Sequence, residues 1–308
     1  MNRKYFLSFL IIPLLILSFE GYLYQASGKD ERGENVRNSI LSGTWYPGSR
    51  DALTKGIEDY LSKAKPVSLE GELKAIIVPH AGYLYSGQVA AHAYKLLRKM
   101  NFKRVIMIGP SHRVGFEGVS INLQSGYKTP LGVAPVDRVI ARKIIDTSPH
   151  IRWLPEAHAR EHSLEIQLPF LQTVIKDFKI VPILMGQQDF RTCSELAECL
   201  VQVMGTMDRT LLVASSDLSH FHSYKSARKL DMELIKHVRE FDPEGLAGSL
   251  SSGRCEACGG GPIIVAMLAA QKLGANRAAI LNYANSGDVT GDHSRVVGYL
   301  SVALIKGN

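Results

Sequence analysis

Short, uninterrupted apolar runs alternate along this chain with longer stretches whose apolar positions recur at helical spacing. The runs at 73–78, 104–108, 179–184, 210–214, 278–283 and 297–305 are rich in β-branched residues and predict strands. Helical patterns occupy 50–64, 89–99, 137–146, 163–176, 191–204, 224–241 and 262–272. Runs such as Ala75-Ile76-Ile77-Val78 and Val105-Ile106-Met107-Ile108 are apolar at every position, which suits a sheet covered on both faces. The alternation therefore predicts an α/β fold: a central, mainly parallel or mixed sheet wrapped by helices. Pro169 cannot donate a backbone hydrogen bond and is expected to kink the helix at 163–176.

The N-terminus breaks this pattern. Arg3 and Lys4 precede an apolar run from Tyr5 to Phe19, with no acidic residue before Glu20. This is the order of a signal peptide or an N-terminal membrane anchor, assigned to residues 1–26. Residues 5–24 would form the membrane tether, which predicts an exported or anchored protein. If translation starts instead near Val36, the protein is cytoplasmic. Residues 27–40 are polar and predict a linker, leaving 41–308 as one α/β domain. The 36 Lys and Arg against 29 Asp and Glu give a net charge of +7. These charges are dispersed without a basic run, which argues against nucleic-acid binding. Of four cysteines, Cys193 and Cys199 lie six residues apart in a predicted helix, roughly 9 Å along its axis and too far for a disulfide. Cys255 and Cys258 form a single C-x-x-C, a weak zinc signal without a second pair.

Ligands of open parallel sheets bind beyond the carboxyl ends of the strands. His80 follows the first predicted strand and His112 the second. Asp217 and His220 follow the strand at 210–214. Three strands thus place His or Asp at one location, which predicts a shared site. Cys258 precedes Gly259-Gly260-Gly261-Pro262 and a predicted helix, whose positive end would favour its thiolate. A thiolate with imidazoles can hold a soft or borderline metal. The alternatives are a redox pair with Cys255 or an inert buried thiol. The glycines lack the Lys-Ser/Thr of a phosphate loop. His162 and Glu165 would share a helix face, with His162 as an acid/base group, a substrate-orienting group, or a cap. His92, His150 and His237 have no such setting and read as structural.

Taken in order, Gly43-Thr44-Trp45-Tyr46-Pro47, Pro79-His80-Ala81-Gly82-Tyr83, Gly109-Pro110-Ser111-His112, Glu161-His162-Ser163-Leu164-Glu165, Ser215-Ser216-Asp217 with His220, Cys258-Gly259 and Leu281-Asn282-Tyr283-Ala284 resemble the Memo family, also known as AmmeMemoRadiSam system protein B. The resemblance implies a fold like that of the class III extradiol ring-cleavage dioxygenases, with Cys in place of a ligand Glu. It carries His80, His112 and Cys258 over as metal ligands, iron being expected and copper the alternative. It carries His220 over as the acid/base histidine, with Asp217 beside it. Three functions are compatible: a metal-dependent oxidoreductase, a non-catalytic accessory protein with radical-SAM and AMMECR-like partners, or a metal-assisted hydrolase. The leader departs from the family. In an oxidising compartment a Cys255–Cys258 disulfide would remove a ligand.

Overall fold

The computed structural model describes residues 27–29, 35–65, 68–205 and 207–307. The expected leader, residues 1–26, lies outside them. Among the described residues no helix is long and apolar enough to cross a membrane. Nine strands of the described residues build one mixed sheet. Its centre is parallel: Glu72–Val78, Thr210–Ser215, Arg104–Pro110 and Lys179–Met185 lie side by side in that order. The antiparallel strand Val296–Lys306 flanks Glu72–Val78 and pairs in turn with Arg277–Asn285. Val119–Ile121 runs antiparallel on Lys179–Met185 at the other side. The α/β expectation holds, and every predicted strand is present within two residues of its expected bounds.

The two faces of the sheet carry two cores. Alternate strand positions explain the division: Ala75, Ile77, Ile106 and Ile108 pack on one face, and Ile76, Val78, Val105 and Met107 on the other. Helices Arg138–Ile145, Phe190–Met204, Tyr224–Glu240 and Gly260–Lys272 cover the first face. Arg50–Lys63, Tyr83–Leu97 and Leu168–Val174 cover the second. Helix Arg50–Lys63 shows the local logic. Ser49 caps it by accepting from the Ala52 N–H, and Leu53, Ile57 and Leu61 repeat every four residues on its buried side.

Two expectations need correction. Pro169 does not kink a helix but lies at the start of Leu168–Val174, after the 3-10 turn Glu165–Gln167. A proline is favoured there because its missing N–H would have no helical partner. The stretch 27–40 is also more than a linker. Ser27–Lys29 and Asn35–Arg37 join Gly126–Thr129 and Gly132–Pro135 in a four-stranded sheet. Arg37 is 1% exposed and binds the Glu165 carboxylate at 2.6 Å and the carbonyls of His158 and Glu161 at 2.7 and 2.6 Å. Ser39 Oγ and the N–H groups of Ile40 and Leu41 also donate to Glu165. The domain therefore includes residues 35–40.

Candidate metal centre

The strands ending at Val78, Ser215 and Pro110 are neighbours, so the residues just beyond them meet. His80, Asp217 and His112 come from these three ends. The loop Glu161–Glu165 closes on them from the side. Its approach explains Gly109, where a Cβ would stand 2.6 Å from Ser163 Oγ and 2.9 Å from Leu164 Cδ2. Cys258 enters just before helix Gly260–Lys272, and its next residue, Gly259, passes so close that a Cβ would lie 2.5 Å from the Ser215 carbonyl.

One potential ligand atom each from His80, His112 and Cys258 lies within 4.8 Å of the others. The hydrogen bonds fix which imidazole nitrogen is free. Ser215 Oγ donates its one proton to the Ser163 carbonyl at 2.6 Å. It must then accept from His80 Nδ1 at 3.0 Å, as it does from Gln167 Nε2 at 2.8 Å. The His80 Nε2 lone pair is left facing Cys258 Sγ, 3.0 Å away. His112 Nδ1 lies 2.9 Å from Glu161 Oε1, and an ionised carboxylate can only accept. His112 therefore also presents Nε2. Two imidazoles with Nδ1–H anchored and Nε2 open are a donor set suited to a metal.

Glu161 organises this arrangement. Only 2% exposed, it accepts from the His112 N–H at 2.6 Å, the His162 and Ser163 N–H groups at 2.9 Å each, and His112 Nδ1. Burial raises its pKa, but the hydrogen bond from His112 and the nearby imidazoles outweigh it and bring the value down to about 2. Glu161 Oε1 also lies 3.2 Å from His162 Nδ1, and Glu161, His112 and His162 form a second close group. The carboxylate is already satisfied by its donors, so this group reads as the support of His112. Sequence reasoning passed over Glu161 because it follows no strand. Its only signal was its place beside His162.

His162 and Glu165 do not share a face. Glu165 is buried against Arg37, whereas His162 stacks on His112 with centroids 4.4 Å apart and packs against Trp45 at 4.7 Å. Burial pushes its pKa down to about 4. His80, His112, His162, Asp217 and His220 all line one cavity of about 620 Å³, with Trp45, Leu84, Tyr85, Phe221 and Tyr299 supplying apolar walls.

Asp217 and His220 reach the cavity by separate routes. Asp217 Oδ1 accepts from the His80 N–H at 2.7 Å and the Ala81 N–H at 3.3 Å, and burial raises its pKa to about 7. It fixes the His80 loop. No helix begins near Ser219; His220–His222 is a short strand. His220 Nδ1 donates to the Leu218 carbonyl at 2.7 Å, and burial lowers the imidazole's pKa. His220 thus presents Nε2 to the cavity, and burial moves its pKa down rather than up as expected from a neighbouring Asp217 charge. The expectation for Cys258 also changes. Burial, then the Asp217 charge, pushes its thiol well above the usual range, overriding the helix end. The protein alone holds a thiol, and a coordinating metal would deprotonate it.

The other cysteines, Cys193, Cys199 and Cys255, are buried and free. His92 bonds the Gln88 carbonyl, and His237 lies between Asp242 and Ser249, both structural settings.

A family profile described as Memo-like protein matches residues 37–303. A MEMO1 family protein of Nitrosopumilus maritimus is 34% identical over 275 residues, covering 88% of this chain and 100% of the relative. One from Methanobrevibacter smithii is 38% identical over 277 residues, 86% of this chain and 98% of the relative. Another, from Methanosarcina mazei, is 40% identical over 273 residues, 87% and 99% of the two chains.

Proposed function

The chain belongs to the Memo-like family, and from that premise we propose that it binds one redox-active metal ion through His80, His112 and Cys258 and uses it in an oxidoreductase reaction on a small molecule. Iron is the metal assigned, with copper as the alternative. The observation that carries the reading is the matched pair of imidazoles: Ser215 and Glu161 consume both Nδ1 positions and leave both Nε2 lone pairs free beside Cys258 Sγ. When bound, such a metal supplies a centre that can exchange electrons and polarise a ligand.

The rest of the chemistry belongs to the chain. Trp45 and Tyr299 form walls that fit a flat, apolar body. His220 accepts a proton from the bound molecule through Nε2. His162, held against Trp45, orients the substrate next to His112. The family resemblance implies a fold like that of the extradiol dioxygenases, which makes catechols the first substrates to try. Anaerobic loading with Fe(II), then addition of O2 and catechol, should give O2 uptake matched by catechol loss. His220→Ala should abolish that turnover while keeping the metal. No uptake with any catechol by metal-replete protein would contradict the oxidoreductase reading.

One observation favours a second reading. Leu84, Tyr85 and Phe221 are 68%, 40% and 61% exposed at the cavity rim. An apolar rim suits coverage by another protein, as in an accessory role with a radical-SAM or AMMECR-like partner. A pull-down with a radical-SAM protein, lost in Phe221→Ser with the metal retained, would favour it.

A further inference from the structure

Among the described residues, four that are not glycine have a positive φ: Asp177, Arg209, Phe221 and Phe241. Three of them lie where chains commonly turn. Asp177 and Arg209 sit in the connections leading into Lys179–Met185 and Thr210–Ser215, and Phe241 is the left-handed cap of helix Tyr224–Glu240, with its side chain 9% exposed. Phe221 is different. It stands in the strand His220–His222 with φ at 62°, a conformation that costs a bulky residue free energy and that glycine adopts freely. His220 opposes Val297 and His222 opposes Val296, so Phe221 is the extra residue of a bulge. A left-handed position in a bulge normally takes glycine. Burial does not compensate for phenylalanine here, because the residue is 61% exposed. Its ring instead lines the metal cavity. It stands 5.6 Å from the His220 ring at 73°, with the Arg295 guanidinium over it, 5.2 Å from the centroid. Strained conformations of this kind persist where a site needs the side chain.

We propose that Phe221 is a specificity-determining residue of the metal cavity, whose ring stacks on the flat body of the small molecule and holds that body beside His220. The bulge aims the ring, and the ring is what glycine could not supply. Arg295 takes one face of it. A cation there draws π density toward itself, so the opposite face is a better partner for an electron-rich ring than for an electron-poor one. The substrate class is accordingly an electron-rich aromatic molecule. This rests on the reading of the cavity as a reaction site, but stacking itself needs no metal.

Equilibrium dialysis of the full chain, metal-free and loaded anaerobically with Fe(II), tests this. The probes are anisole, electron-poor nitrobenzene and saturated methoxycyclohexane, all neutral. Both forms of the protein should bind anisole most tightly and methoxycyclohexane least. Phe221→Gly should weaken anisole binding about two- to tenfold, the loss expected for one aromatic pair, and Phe221→Trp should restore it. Arg295→Gln should narrow the gap between anisole and nitrobenzene. Phe221→Gly should also melt at or above the wild-type temperature, because glycine relieves the strained backbone. Unchanged anisole binding in Phe221→Gly would overturn the proposal: a lower melting temperature would then make the ring structural, and a lost radical-SAM pull-down would make it a protein contact. Nitrobenzene bound as tightly as anisole would overturn the substrate class. Ring-dependent binding in a protein that takes up no metal would sink the metal-centre reading and leave the role of Phe221 intact.

Discussion

Replacing Arg37 with alanine should destabilise the domain severely, although Arg37 lies in a stretch whose sequence reads as a linker. The guanidinium is 1% exposed and its partner Glu165 is fully buried. The substitution strands a carboxylate that loses its 2.6 Å ion pair, and two carbonyls, those of His158 and Glu161, that lose donors at 2.7 and 2.6 Å. It also removes a cation from the face of Tyr127, 4.8 Å from the ring centroid. Breaking one side of a buried pair costs about 3–5 kcal/mol. The remaining donors to Glu165, from Ser39, Ile40, Leu41 and Tyr46, place the cost toward the lower figure. At about 3 kcal/mol, a domain of this size should lose about 6–12 °C in melting temperature. The assay is thermal unfolding of wild type, Arg37→Ala, Glu165→Gln and the double variant. The double variant should lose less than the sum of the singles, because neutralising Glu165 removes the stranded charge. A fall under about 2 °C for Arg37→Ala would refute the reasoning and restore the linker reading.

Glu161→Gln should lower metal affinity about 10–100-fold, the usual effect of removing a carboxylate behind a ligand histidine, as read by chelator competition. An unchanged affinity would mean that the main-chain bonds of the loop suffice to aim His112. Acid should destabilise the fold through His158, which is buried between Ser120 and Tyr127 and whose pKa burial depresses from 6.5 to about 3. A histidine with a lowered folded pKa is protonated first in the unfolded chain, so stability should rise with pH between about 3 and 6.5. Denaturant melts across that range should show this slope, and His158→Gln should flatten it; an identical slope in both proteins would assign it elsewhere.

Most of the sheet was legible because its strands are covered on both faces and therefore apolar at every position. The site was legible for a related reason. Three of the four central strands are followed, two residues on, by His80, His112 or Asp217, and these adjacent parallel strands deliver those residues to one place. The short strands Val119–Ile121 and Ile151–Arg152 were not legible, since two or three residues carry no periodicity. Arg37 was missed because its partner is 128 residues away. Local reasoning also failed where three-dimensional surroundings decide. Asp217 and His220 are three residues apart, yet the carboxylate turns to the His80 and Ala81 N–H groups and the imidazole to the Leu218 carbonyl. For Cys258, burial and the Asp217 charge outweigh the nearby helix end, an order of effects that spacing alone does not reveal.

Titration of the metal-free, untagged protein with Co(II) tests the central claim most directly, because a thiolate ligand announces itself by a thiolate-to-cobalt charge-transfer absorption. The account predicts that this absorption saturates at one equivalent with release of the Cys258 proton, that Cys258→Ser removes it without lowering the melting temperature, and that His80→Ala and His112→Ala weaken it. A titration with no such band, or one of equal intensity in Cys258→Ser, would contradict the assignment of His80, His112 and Cys258 as the metal centre.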